Sequence, residues 1–440
     1  MREAFERAAG WVAAQARGEE IAACYFAGEE SDFVRFNKSA LRQAGAVRQM
    51  RLRLQLIRGL RQAQADLTLS GEAGEDERRA SRLLKELREM LPLLPEDPHL
   101  IYAQEVRSSE RRGENGLPEA GQAVEAVLEA GRGRDLVGLY AAGGVHAGFA
   151  NSLGQRNWFS SWSFNLDWSF YARADKAVKA RYAGFAWDPA AFGRVVEGAG
   201  RELEAVSRPE RAVPPGRYRA YLSPPAVEDF VGMVANRGFG LRARRTKRSS
   251  LLKMAEEGRR LHPALHLSEV PGEGFGPDFQ EQGFLKAPRV PLIEAGALGE
   301  ALVSPRSAKE YGVPTNGASE REAPESLDMA PGEIPQAGIL ERLGKGVWVG
   351  DLWYLNYSDL PSCRITGLTR FATFWVEGGE IAAPLRVMRF DESAYRVLGE
   401  NLLGLTAERE RFLDPGTYGG RSTRSSQVPG ALVEGFALTL

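Results

Sequence analysis

The stretch MRLRLQLIRGLRQAQADLTL (Met50–Leu69) decides how this chain is read. Met50, Leu52, Leu54 and Leu56 alternate with Arg51, Arg53 and Gln55. Beyond the Arg58-Gly59 turn, Ala63, Ala65, Leu67 and Leu69 alternate with Gln62, Gln64, Asp66 and Thr68. Successive side chains of a strand point to opposite faces, so a period of two predicts a β-hairpin. One face of that hairpin is buried; the other is wet, basic and rich in amides.

Working outward, MREAFERAAGWVAAQARG predicts an amphipathic helix with Phe5, Ala8, Ala9 and Val12 on one face and Gly18 as its C-cap. Glu20–Ala27 and Ser31–Leu41 are expected as two short strands. Leu83, Leu84, Leu87, Met90 and Leu91 recur at helical spacing, as do Val124, Val127 and Leu128 in a helix opened by Pro118 and closed by Gly131. In NWFSSWSFNLDWSFY (157–171), Trp158, Trp162, Phe164, Leu166, Trp168 and Phe170 share one face, and Ser161, Ser163, Asn165, Asp167 and Ser169 the other. Such rings suit either a stacking surface for sugars or bases or a strand buried on one side, and the buried strand is the expectation. Asp188-Pro189 opens a further helix with Phe192, Val195, Val196, Ala199 and Leu203 inward.

The proline- and charge-rich SRPERAVPPGR (207–217) is the best linker, so we expect two domains, 1–207 and 208–440. The second begins with a strand over Arg217–Leu222 and a Ser223-capped helix. From Pro288 onward it is mostly β, with a hairpin turning at Gly378-Gly379 and a terminal strand in GALVEGFALTL. Between Pro314 and Gly338 a long irregular segment is expected. The fold class is α+β: an N-terminal α/β layer with a mixed or antiparallel sheet, then a largely antiparallel, twisted β domain.

The 440 residues, 43% hydrophobic and 26% charged, are those of an ordinary globular protein. With a formal net charge of −1, no global field draws nucleic acid or anionic lipid, and neither is expected as a partner. Cys24 and Cys363 cannot build a disulfide framework. The N-terminus lacks the apolar core of a signal peptide, and no stretch approaches the roughly 20 apolar residues of a membrane span. A cytoplasmic location is the expectation.

RRLHPALHLSEV (259–270) places His262 and His266 four apart, as in a zinc-binding H-E-x-x-H helix. Pro263, however, replaces the glutamate that would act on the metal-bound water, and opening a helix there would leave His262 at the non-helical cap. The pattern does not support a metal site. There is no G-x-S-x-G elbow, GILERLGKG departs from the phosphate-binding loop, and RARRTKR (242–248) is expected as a solvated loop.

One ordered series of motifs does point somewhere. DFQEQGFLKAPRVPLIEAGALGEALVSPRSAKEYGVPTNGAS (278–319) resembles the core of the TldD/PmbA family, cytosolic peptidase proteins once described as modulators of DNA gyrase. The shared pattern is a Pro-Leu-Ile-Glu strand, a Gly-x-Leu turn, a serine-alanine pair and a Thr-Gly or Asn-Gly loop. LDMAPGE (327–333), the 346–390 segment with its Glu-x-Gly-Glu hairpin, VPGALVEGFALT (428–439) and SDFVRFNKSALRQAG (31–45) are similar to later and earlier parts of the same series.

The resemblance implies a two-domain subunit whose N-terminal layer faces an open cavity. TldD-type members carry an H-E-x-x-x-H helix and a cysteine near the C-terminus as zinc ligands; TldE (PmbA) members lack them and pair with TldD. Here VGMVANRGFGLRARRTKR (231–248) stands at the helix position without histidine or glutamate, and GGRSTRSSQVPG (419–430) contains no cysteine. The resemblance therefore implies a TldE-like subunit with no catalytic or metal-ligating residue of its own, and zinc in a TldD-like partner. Proteolysis of extended peptides would fall to the heterodimer. The alternative is a homodimeric peptide-binding or scaffold protein without catalysis. Thr315, Asn316, Gly317 and Ser319 are expected to line the cavity or shape the dimer contact.

Overall fold

The computed structural model describes residues 1–173 and 175–440. Its N-terminal half is built on strands β1 (Ile21–Asn37), β2 (Ala40–Arg58), β3 (Arg61–Thr68), β4 (Ser109–Arg112), β5 (Asp135–Asn151), β6 (Arg156–Arg173) and β7 (Lys176–Gly184). Their pairings give one antiparallel sheet ordered β3-β2-β1-β5-β6-β7, with β4 parallel beside the start of β6. Helices α1 (Arg2–Ala14), α2 (Ala73–Met90), α3 (Ala120–Gly131) and α4 (Pro189–Val206) serve this sheet.

The decisive hairpin forms as expected: Leu52 pairs with Leu67, Leu54 with Ala65 and Leu56 with Ala63. Met50, Leu52, Leu54 and Leu56 are buried with Phe5, Ala8, Ala9 and Val12 of α1 and with Leu84 and Leu87 of α2. Two boundaries differ. The strands expected at Glu20–Ala27 and Ser31–Leu41 are one continuous β1, because β2 and β5 hold the intervening Gly28–Glu30 backbone from both sides. Strand β2 starts at Ala40, and Ala40–Arg48 is exposed throughout, so no apolar alternation announces it. Helix α1 ends at Gln15 rather than Gly18, which instead takes φ +55 in the following turn.

In β6, Phe164, Leu166, Trp168 and Phe170 are core residues packed with Phe192 and Ala199 of α4. Ser161, Ser163 and Asn165 on the opposite face are buried as well. The second half of the chain covers them, and Asn165 donates from Nδ2 to the Leu413 carbonyl at 2.9 Å.

That second half contains β8 (Gly216–Leu222), helix α5 (Pro224–Gly238), β9 (Leu267–Glu269), β10 (Val290–Glu294), β11 (Ala297–Leu298), β12 (Ser326–Met329), β13 (Gly346–Asp359), β14 (Arg364–Glu377), β15 (Glu380–Pro384), β16 (Arg389–Ser393), β17 (Leu402–Leu413) and β18 (Ser425–Leu438). The central run is β14-β13-β8-β18, with β17 antiparallel on β18. Ser223 caps α5, accepting from Ala226 N–H, and Val227, Phe230, Val231 and Val234 enter the core. Gly378 and Gly379 turn the β14–β15 hairpin with positive φ. Strand β12 lies inside the segment expected to be irregular throughout. It is held by β18 on one side and β9 on the other, and a four-residue strand clamped by two partners carries no readable periodicity. The α+β fold class holds.

Candidate functional site

Register places Tyr25, Ala27, Glu29, Ser31, Phe33 and Arg35 of β1 on one face with Arg53, Arg51, Gln49, Val47, Gly45 and Gln43 of β2. This is the wet face read from Met50–Leu69. Over β6 and β7 the second half of the chain covers it; over β1–β3 it stays open as a trough.

Three cavities follow one another along this face. The largest, about 580 Å³, lies between Arg53, Gln55, Gln62 and Gln64 of the hairpin and the segments 277–286, 319–325 and 422–424. A second, about 170 Å³, adjoins Glu29, Gln49, Arg51 and His146. The third, about 320 Å³, is bounded by Phe33, Arg35, Gln43, Val47 and Leu139.

The walls of the largest cavity are pinned by charge and packing. Arg53 donates to Asp66 at 2.9 Å and to Glu281 at 2.8 Å, joining hairpin to opposite wall. Phe279 is fully buried against Ala23, Ala147, Phe149 and Phe159. Lys286 donates to Glu325 at 2.5 Å and to the Pro277 carbonyl at 2.9 Å. Burial pushes the Glu325 carboxyl up, but Lys286 outweighs it and holds the group below its ordinary value.

Behind Glu325, Glu269 accepts from the N–H groups of Glu325 and Ser326 at 3.0 Å. Burial dominates there and pushes its carboxyl up to about 7, despite those bonds and nearby Lys286. A folded-state value above the ordinary 4.5 means that Glu269 favours folding fully below about pH 4.5. This contribution fades as pH rises through about 7, at no more than about 1.4 kcal/mol per pH unit. Glu269→Gln should flatten the fall of melting temperature between about pH 5 and 7; an unchanged slope rejects the assignment.

The loop between β17 and β18 straps across the trough. Thr417 bounds the third cavity, Gly419–Arg421 the second, and Ser422–Arg424 the first. Arg421 is its anchor: buried, it donates to the carbonyls of Gly143 at 3.0 Å and Ser163 at 2.8 Å. Its own N–H donates to Glu29 Oε2 at 3.3 Å, which also receives Gln49 Nε2 at 2.9 Å. Burial lowers the guanidinium to about 10, with Glu29 opposing.

A second tie between the halves is Arg181 of β7. It lies 3.1 Å from Glu228 and Asp229 of α5, 3.0 Å from Asp351 of β13 and 3.7 Å from Asp167 of β6. Burial raises the carboxyls of Glu228 and Asp351 in this crowd.

Of the four residues singled out in the sequence, Ser319 lines the largest cavity, where its hydroxyl helps hold down the Glu325 carboxyl. The other three stitch loops behind it. Thr315 donates to the Val303 carbonyl at 2.7 Å, and the Asn316 side chain bridges Val303 N–H at 2.9 Å and Ala301 O at 2.7 Å. Gly317 takes φ +73, and a Cβ there would lie 2.0 Å from the Leu285 carbonyl oxygen. Arg421, Phe279 and the Lys286–Glu325–Glu269 group were not read from the sequence. Only the basic and amide face of Met50–Leu69 signalled this site.

His262 and His266 stand in a turn and an extended run, not a helix. Their Nδ1 atoms accept from Ala264 and Ala295 N–H, at 3.2 and 3.4 Å. Cys24 and Cys363 are free and buried in separate cores. Among the described residues no group of three or more His, Cys, Asp or Glu is arranged to hold a metal ion.

The second half, residues 215–440, matches the PmbA/TldA metallopeptidase C-terminal domain, slightly more than half of the chain. The chain belongs to the PmbA/TldA metallopeptidase family. Solved structures extend the likeness over the whole length of this PmbA/TldA-family chain. TldE from Thermococcus kodakarensis shares 13% identity over 99% of this chain and 100% of its own, at a TM-score of 0.77. A protein of Thermotoga maritima described as a candidate modulator of a DNA gyrase shares 15% identity, with full coverage of both chains, at 0.76. A similarly described protein of Bacteroides thetaiotaomicron shares 16% identity over 100% of this chain and 98% of its own, at 0.73. At such identities these three establish the fold alone. No curated protein sequence matches the chain. Among the described residues no helix is long and apolar enough to cross a membrane.

Proposed function

We propose that this family member is the TldE-like subunit of a peptidase assembly, holding no metal itself and pairing with a zinc-bearing TldD-like subunit. The observation that carries this reading is the open, polar trough over β1–β3. Its Gln55, Gln62, Gln64 and Arg53 side chains suit an extended polypeptide, whose main chain supplies donors and acceptors at every residue. The residues at the family's ligand positions also support it. Val231 and Val234 of α5 are buried core, and the segment continues through Arg237, Arg242, Arg244 and Arg245. These side chains pack or repel cations; none of them coordinates one.

On this reading the subunit contributes walls and backbone contacts, Ser319 among them in the largest cavity, and cleavage occurs on the partner, within the cytoplasm. The protein purified alone is expected to carry far less than one zinc per chain and to cleave no unfolded peptide. Captured from native cytosol, it should bring down a zinc-bearing homologue, and that mixture should cleave peptides until a chelator is added. One zinc per isolated chain, with chelator-sensitive cleavage, would overturn the proposal. Capture of a second copy only would favour the homodimeric scaffold.

A further inference from the structure

The third cavity is an apolar gap at the open end of the trough. Register brings Phe33 of β1, Leu139 of β5 and Val47 of β2 to one face there, and none of them is fully buried. Gly45, paired with Phe33, leaves the space above it empty: a Cβ there would meet nothing within 4 Å. Strand β3 pairs with β2 only from Arg51 onward, so the Ala40–Gln49 edge is unpaired among the described residues and this end of the face stays open. At the rim Arg35 and Gln43 oppose each other, and neither side chain has a polar partner among the described residues.

The strap between β17 and β18 crosses here, and its tip is loosely held. Thr417 lines the third cavity and Gly419 and Gly420 the second, while Tyr418 between them is fully exposed. Both ends of the strap are fixed. Asp414 pairs with Arg424 at 3.1 Å and accepts from Gly416 N–H at 2.9 Å, and Arg421 is buried. Between them Ser422 N–H donates to the Gly416 carbonyl at 3.0 Å and Gln49 Nε2 to the Gly419 carbonyl at 3.4 Å. No hydrogen bond reaches Thr417 or Tyr418 among the described residues. Gly419 takes φ +80 with open space around it, so the backbone beside Tyr418 has room to turn.

A hydrated ring thus stands beside an empty apolar gap, on a segment with few bonds between firm ends. The Cα atoms of Thr417 and Tyr418 are about 3.8 Å apart, so the ring is within one side chain's reach of the cavity wall. Entering it would take apolar surface out of water and leave the hydroxyl facing Arg35 and Gln43. Ordering the strap tip opposes that gain.

We propose that Tyr418 is a latch: the strap tip turns, the ring enters the third cavity over Gly45, and that end of the trough closes. The structure shows the latch out. The proposal goes beyond the subunit reading above and does not rest on it, because it concerns this chain alone.

The test reads closure as protection of a cysteine placed in the cavity, Val47→Cys, from a maleimide in the full chain. Native Cys24 and Cys363 are buried, and burial pushes both thiols up to about 12, so they stay silent. Adding Tyr418→Gly should speed alkylation of Val47→Cys roughly threefold or more, as a latch closed about two-thirds of the time requires. Tyr418→Phe, which keeps the ring, should keep most of the protection. Leu93→Cys, exposed just beyond α2, should react at one rate in every background. Equal rates for Val47→Cys with and without Tyr418→Gly overturn the latch. So does an equal acceleration at Leu93→Cys, which would report loosening of the whole chain. Protection that rises with protein concentration overturns it as well, since a second copy would then cover the gap. None of these outcomes touches zinc content or partner capture, on which the subunit reading stands or falls.

Discussion

Arg181→Met is expected to destabilise the protein by about 3–5 kcal/mol at neutral pH, because it strips the shared cation from four carboxylates on three different elements. Asp351 is 2% exposed and Asp229 largely enclosed, so the charges left behind cannot be hydrated. Their mutual repulsion has a pH signature. Burial already lifts the Asp351 and Glu228 carboxyls, so removing Arg181 lifts them further. Groups whose folded-state values stand above the ordinary ones favour folding at low pH and lose that contribution as pH rises. The variant should therefore recover much of the deficit between about pH 7.5 and 5.5 in thermal melts. A deficit of equal size at both values would mean that lost packing over Phe412, not charge, is responsible.

Trp168→Ala should cost about 3–5 kcal/mol, the ordinary penalty for deleting a large enclosed aromatic. Trp168 is 1% exposed and meets Phe170 at 6.3 Å and Phe192 at 6.0 Å between ring centroids. Were the aromatic row of β6 a stacking surface for sugars or bases, the substitution would abolish ligand binding with little change in denaturant midpoint. The expected result is the reverse: a lower midpoint, with no sugar or base binding lost because none depends on this row.

Much of the N-terminal sheet was legible because a strand with one buried face writes its own period. Leu52, Leu54 and Leu56 against Arg51, Arg53 and Gln55 fixed the hairpin, its buried side and the chemical character of its wet side. Legibility ended where burial ceased to alternate. Ala40–Arg48 is exposed on both faces, so nothing in it alternates, and only Ala40 and Leu41 are legible, as the end of the neighbouring strand. Ser161, Ser163 and Asn165 are buried on the face that polarity assigns to water, because another part of the chain covers them.

The candidate site followed the same division. The residues taken from the TNGAS loop proved unequal: Ser319 reaches the cavity, while Thr315, Asn316 and Gly317 spend their polar groups and their left-handed turn on neighbouring loops. Arg421 carries no periodic or motif signal at all. It matters because it crosses to Gly143 and Ser163, which are hundreds of residues earlier in the chain.

By itself the sequence determined the strand and helix periods and the polarity of the hairpin's faces. All of these depend on a residue's own chemistry and on neighbours a few positions away. Which part of the polar face is sealed, which stays open as a trough, and which edge is left unpaired were decided only by the tertiary structure. Those outcomes arise from contacts between residues far apart in the chain, and local periodicity carries no record of them.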